Sequence, residues 1–171
     1  MAQFKTCKPS QMTKAEFVEM FADIYEHSPW VAERTFDLGL NERSNTIENL
    51  HESMSQVMLD ATPQEQLDLI NAHPDLAGKA AIDGELTAAS TSEQAGAGIS
   101  QCTAEEFSQF TDFNERYKAR FQFPFIMAVK GANRHQILAS FAERIHNDAE
   151  TEFATAIAQI NKIALFRLQD M

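Results

Sequence analysis

Cysteine is scarce in this chain: Cys7 and Cys102 are the only two among 171 residues. Two thiols without metal-ligand spacing make neither a disulfide scaffold nor a zinc site, so both read as reduced side chains. Long apolar runs are missing too, and no segment approaches the roughly 20 residues needed to span a bilayer. Positive charge is short: 14 Lys and Arg face 25 Asp and Glu, a net charge of −11. Such a balance repels phosphate backbones and anionic membranes, so neither nucleic acid nor a membrane is an expected partner. An anionic small molecule is still admissible, because bulk charge is screened beyond about 8 Å; its pocket needs a cation of its own. The start "MAQFKTCKPSQMTKAEF" lacks a basic stretch followed by an apolar one, and "RLQDM" is no peroxisomal tripeptide, so a cytoplasmic location is expected. GxGxxG, GxxxxGK[ST], HExxH and CxxC are all absent, and His27, His51, His135 and His146 are scattered. No cofactor and no metal has positive support.

What is present is helical periodicity. Thr13 to Glu16, Thr62 to Glu65 and Thr103 to Glu106 each fit a capping box ahead of an apolar stripe. Ser28-Pro29 has the form of an N-cap and a first-turn proline, opening a helix that ends near Gly39. Ile47, Leu50, Met54, Val57 and Met58 mark a third helix, and Leu67 and Ile70 a fourth that Pro74 ends. Phe107, Phe110, Tyr117 and Phe121 mark the next, interrupted at Pro124 in "FQFPFIMAVKG". Two more run through Ile137, Phe141 and Ile145, then through Phe153, Ile157, Ile160, Ala164 and Leu168. With no repeat, linker or paired strands, residues 1–171 read as a single all-α domain of about seven or eight helices.

One stretch departs from this pattern. "HPDLAGKAAIDGELTAASTSEQAGAG", residues 73–98, gathers Gly78, Gly84, Gly96 and Gly98 with a histidine, hydroxyls, Glu93 and Gln94. Long polar connections in compact domains are often functional. Pro74 pushes His73 to a helix terminus, where it either favours the helix dipole or serves as an acid/base near neutral pH. Ser90 to Glu93 also fits a capping box, so these two side chains either start a helix or carry chemistry. Arg167 reads as a C-terminal dipole partner or as a ligand-binding fork. Phe123 and Phe125 read as core, as a dry pocket wall, or as both.

Taken together, "HPDLAGK", "STSEQAGAG", "ERYKARFQFPFIMAVKG" and "ETEFATAIAQINKIALFRL" occur in one order that closely resembles the OHCU (2-oxo-4-hydroxy-4-carboxy-5-ureidoimidazoline) decarboxylases, from about Met12 to Leu168. The resemblance implies an all-helical, homodimeric enzyme of urate breakdown that needs no cofactor and forms (S)-allantoin from a small ureidoimidazoline. It places the catalytic histidine on His73, followed by Pro74, and the polar partners on Ser90, Glu93 and Gln94. It places the arginine on Arg167 and backbone contacts to the ligand on the segment holding Phe123, Phe125, Ile126 and Met127. His73 is then the general acid/base, with Glu93 orienting ring N–H groups and sharing proton transfer. Arg167 supplies the pocket's cation, and the glycines let backbone pack close around the ligand. A non-catalytic helical interaction module and a hydrolase of another ureide are the rival readings.

Overall fold

The computed structural model describes residues 1–78 and 84–171; the "KAAID" part of the glycine-rich stretch lies outside them. Among the described residues there are eight α-helices and no strand; Gln3 and Thr46 form one isolated antiparallel bridge. The helices are α1 (Lys14–Phe21), α2 (Trp30–Asp37), α3 (Ile47–Asp60), α4 (Pro63–Asn71), α5 (Ala88–Gly96), α6 (Ala104–Phe121), α7 (Arg134–Arg144) and α8 (Ala149–Gln169). The capping boxes at Thr13, Thr62 and Thr103 all form: each threonine accepts the N–H three residues on, and that glutamate reaches back. Asn133 and Gln136 add another at α7.

The chain clusters into two compact units, Met1–Ala72 with Ile160–Met171, and His73–Gln159. In the first, α1 packs on α2 and α2 on α3. Phe17 and Phe21 sit 4.7 Å apart at the centre, with Phe4 edge-on to Phe21 at 5.6 Å. The expected apolar side of α3 is buried as read: Ile47, Leu50, Met54, Val57 and Met58. On α4 the buried residues are Gln66, Leu69 and Ile70, leaving Leu67 half-buried. Asn161 ties the end of α8 to this core, accepting from the Tyr25 hydroxyl at 2.7 Å while its carbonyl meets His51 Nε2 at 2.7 Å.

Ser28 does not cap α2. Pro29 already has helical φ and ψ of −61° and −19° and occupies the cap position, so the turn begins one residue later than expected. The Ser28 hydroxyl instead donates back to the Glu26 carbonyl at 2.8 Å.

The second unit is built on aromatic rings. Phe125 and Phe141 stack at 3.7 Å between centroids, with Tyr117 edge-on to Phe125 at 5.3 Å and Phe110 edge-on to Phe141 at 6.2 Å. Beneath them lies a polar knot. The Tyr117 hydroxyl donates to fully buried Glu152 at 2.6 Å, and Arg144 Nε and Asn147 Nδ2 donate to the same carboxylate at 3.0 Å each. Burial, with that carboxylate alongside, pushes the Tyr117 phenol up, so it stays a donor.

Candidate functional site

α4 stops because Pro74 cannot continue it; the Ala72 N–H closes the last turn on Asp68 and Leu69 carbonyls. His73 opens the second unit and is buried, 8% exposed, and engaged with a neighbouring group. It lies just past the end of α4, the helix-terminal place expected beside Pro74, and is shielded from solvent there. Pro74 beside it is half-buried.

Immediately beyond comes a tight turn whose polar backbone is bound by two helices. Gln94 of α5 accepts the Ala77 N–H at 3.0 Å and donates to the Asp75 carbonyl at 3.4 Å. Asn114 of α6 donates to the Leu76 carbonyl at 2.8 Å, and Lys118 pairs with the Asp75 carboxylate at 2.6 Å. The turn is strained at Ala77, which has a left-handed φ of 53°. It also requires a glycine next: a Cβ on Gly78 would stand 2.6 Å from the Asp75 Cβ. That close approach is to the chain's own turn rather than to a ligand. Gly98, at φ 76°, serves the turn after α5.

Ser90, Glu93 and Gln94 stand at i, i+3 and i+4 on α5, hence on one face. Ser90 and Gln94 are buried, Glu93 half-buried, and both Ser90 and Glu93 are engaged with neighbours. The capping-box reading of Ser90 and Glu93 is overturned. Thr87 is the N-cap, its hydroxyl accepting the Ser90 N–H at 3.2 Å, so Ser90 sits inside the first turn with its side chain released from capping. Gln94 is different: both ends of its amide bind the turn after Pro74.

Phe123, Phe125 and Ile126 are buried and Met127 half-buried, in a segment without helix or strand that follows a left-handed Gln122. Both phenylalanine rings belong to the aromatic core, Phe123 lying edge-on to Phe153 at 6.0 Å. Arg144 Nη1 donates to the Ile126 carbonyl at 2.6 Å, with its guanidinium 4.3 Å from the Phe125 ring, and Gln159 accepts the Ala128 N–H at 2.9 Å. A cavity of ≈ 540 Å³ in this unit is lined by Ala77, Gln94, Ala95, Ile99, Cys102 and Phe107 among others; His73 and Glu93 are not among its lining residues.

Arg167 lies in the first unit, 8% exposed. Its Nη2 pairs with Glu26 at 2.9 Å and its Nη1 donates to the Asp23 carbonyl at 3.2 Å. Glu26 is 2% exposed, so the pair is shielded from water. The buried guanidinium in this unit thus carries a carboxylate with it. Glu26 and Asn114 are among the buried polar residues that motif reading passed over. For Asn114 a signal existed, since it is the polar member of the stripe Phe110, Asn114, Tyr117 and Phe121.

Both cysteines are free, and burial raises their thiols, which keeps them protonated. Among the described residues no three of His, Cys, Asp and Glu group as metal ligands, and no helix is long and apolar enough to cross a membrane.

The comparisons with known proteins agree across the chain. The family model described as OHCU decarboxylase matches residues 10–169. A 2-oxo-4-hydroxy-4-carboxy-5-ureidoimidazoline decarboxylase of Halalkalicoccus jeotgali is 37% identical over 95% of this chain and 88% of its own. Its namesake in Haloferax volcanii is 39% identical over 90% and 88%. A crystal structure of (S)-allantoin synthase superposes with a TM-score of 0.76 at 30% identity, covering 95% of this chain and 51% of that one. The chain belongs to the OHCU decarboxylase family.

Proposed function

We propose that this chain decarboxylates 2-oxo-4-hydroxy-4-carboxy-5-ureidoimidazoline to (S)-allantoin, using its own side chains. In the reaction the bond to the carboxylate breaks, carbon dioxide departs, and the bonding electrons pass into the imidazoline ring system. The hydroxyl-bearing carbon that lost the carboxylate then becomes a ring carbonyl as its hydroxyl proton leaves, and a proton is added to one face of the adjacent, ureido-bearing carbon. An enzyme for this step must orient the carboxylate out of the ring plane, supply the proton and keep water from protonating at random.

His73 is the general acid/base of this reading, and Glu93 orients the N–H groups of the ring and ureido arm. Ser90 adds a neutral hydrogen bond, and Pro74 and the backbone from Phe123 to Met127 bound the substrate. Gln94 serves by holding the turn that follows His73. Arg167 contributes a planar hydrogen-bonding fork whose charge Glu26 balances. That balance suits a reaction in which an anionic substrate becomes a neutral product, because a fully uncompensated cation favours the substrate state over the product. We propose further that the enzyme is a cytoplasmic homodimer, which sedimentation of the pure protein tests for oligomeric state.

One observation carries the reading: Gln94, on the face of α5 that also bears Ser90 and Glu93, is hydrogen-bonded to the turn two residues beyond His73. His73, Ser90, Glu93 and Gln94 all belong to the unit His73–Gln159, and the bracing of the turn by Gln94 supports the reading. The test generates the unstable substrate from urate with the two preceding enzymes and measures gas and product. Carbon dioxide release above the spontaneous rate supports the proposal. Ammonia or ring opening without carbon dioxide indicates the hydrolase, and no turnover indicates a binding module; either outcome rejects it.

A further inference from the structure

We propose that Asn114 is a positioning residue for His73, setting the imidazole through the backbone of Asp75 to Ala77. The inference rests on His73 acting as the acid/base described above. Asn114 is 5% exposed in the middle of α6, flanked along its stripe by Phe110, Tyr117 and Phe121. A polar residue in that setting needs a partner to be tolerated, and its partner is the Leu76 carbonyl at 2.8 Å. Gln94 holds the carbonyl before it and the N–H after it. Three consecutive residues therefore have a backbone group anchored by side chains of two different helices.

A loop that merely joined two helices would have no need of this. Ala77 is kept at a φ of 53°, a conformation an alanine leaves unless its surroundings hold it. Between the anchored turn and His73 stands only Pro74, whose ring fixes φ and removes one backbone freedom. Displacement of Leu76 is consequently transmitted to the His73 backbone instead of being absorbed. The Asn114 Nδ2 is spent on the Leu76 carbonyl and its buried Oδ1 makes no hydrogen bond among the described residues, so in this proposal the residue acts by fixing where the imidazole starts from. A purely structural asparagine would lower stability when replaced and leave the surviving enzyme's chemistry alone.

The experiment replaces the amide with an apolar side chain of similar size, Asn114→Leu, and measures steady-state turnover, the enantiomeric excess of allantoin and the NMR titration of the His73 ring in the full-length protein. The expected result is a fall in kcat of about 10-fold or more with KM changed less than about 3-fold, because orientation and not binding is lost. The His73 titration midpoint is expected to move and the enantiomeric excess to drop. Asn114→Ser stands in if the leucine variant does not fold, with the same expectation. In the unmodified protein the Asn114 side-chain amide protons are expected to exchange slowly with solvent; exchange as fast as an exposed asparagine overturns the proposal. Wild-type kcat and an unmoved His73 titration in a folded variant overturn it too. His73→Gln is assayed beside it. If that variant is inactive while the Asn114 variant is normal, the positioning role alone fails; if His73→Gln turns over like wild type, the acid/base assignment fails and takes the positioning role with it.

Discussion

Glu26 and Arg167 show how far a single residue can be from its sequence reading. Arg167 looks like an ordinary basic residue in the last turn of a helix, yet it is 8% exposed and bonded to a carboxylate with 2% exposure. Removing one member of a buried pair strands the other charge, which costs about 3–5 kcal/mol. Glu26→Ala is therefore expected to lower unfolding stability by about that amount in a urea titration. Glu26→Gln, which retains hydrogen-bonding atoms, is expected to lose less. Equal, small losses in both variants would mean the pair is not shielded. His73, Ser90, Glu93, Gln94 and Arg167 were nameable from sequence because motifs in fixed order carried them. Glu26 was not, because a lone buried acid is defined by a partner distant in the chain; Asn114 was marked only as the polar member of an apolar stripe, and spacing does not encode its partner.

Elements were legible where local chemistry decides them. The Thr-x-x-Glu boxes at Thr13, Thr62 and Thr103 are closed between residues three apart, so sequence and structure agree. α5 misleads for the same reason: Ser90-x-x-Glu93 has the pattern, but Thr87 wins the cap although the position three residues later is Ser90 and offers no glutamate to complete a box. The three glutamates of the real boxes make a pH prediction. The Thr13 N–H lowers the Glu16 carboxyl, the Arg34 guanidinium lowers Glu65 to about 2, and the Thr103 N–H lowers Glu106. A carboxyl lowered on folding gives its full stabilisation above the unfolded value, about 4.3, and loses it as pH falls through the folded value. Melting temperature is thus expected to decline as pH drops from about 5 toward 2. A Glu16→Gln, Glu65→Gln, Glu106→Gln variant is expected to show a shallower decline over that window. An unchanged slope would show that these caps do not govern acid stability.

At the scale of the molecule, composition and periodicity were enough for an all-α fold with eight described helices. The partition into two units was not foreseen, because periodicity reports which face of a helix is buried and not against which neighbour. The last helix makes the point: its residues up to Gln159 cluster with one unit and those from Ile160 with the other, while its apolar stripe runs on unbroken. The net charge of −11 set the other constraint, and Glu26 beside Arg167 keeps even a buried cation from standing alone. The account turns on one proton delivered to one face of a ring by this chain's histidine. Circular dichroism of allantoin formed from urate, with the two upstream enzymes in excess, measures that directly. Wild-type protein is expected to give a fast signal of the S enantiomer. His73→Gln, folded by its far-ultraviolet spectrum, is expected to be slower by about 10² to 10⁴ and to leave the racemic background. A racemic trace from the wild type, or an undiminished S signal from His73→Gln, would contradict it.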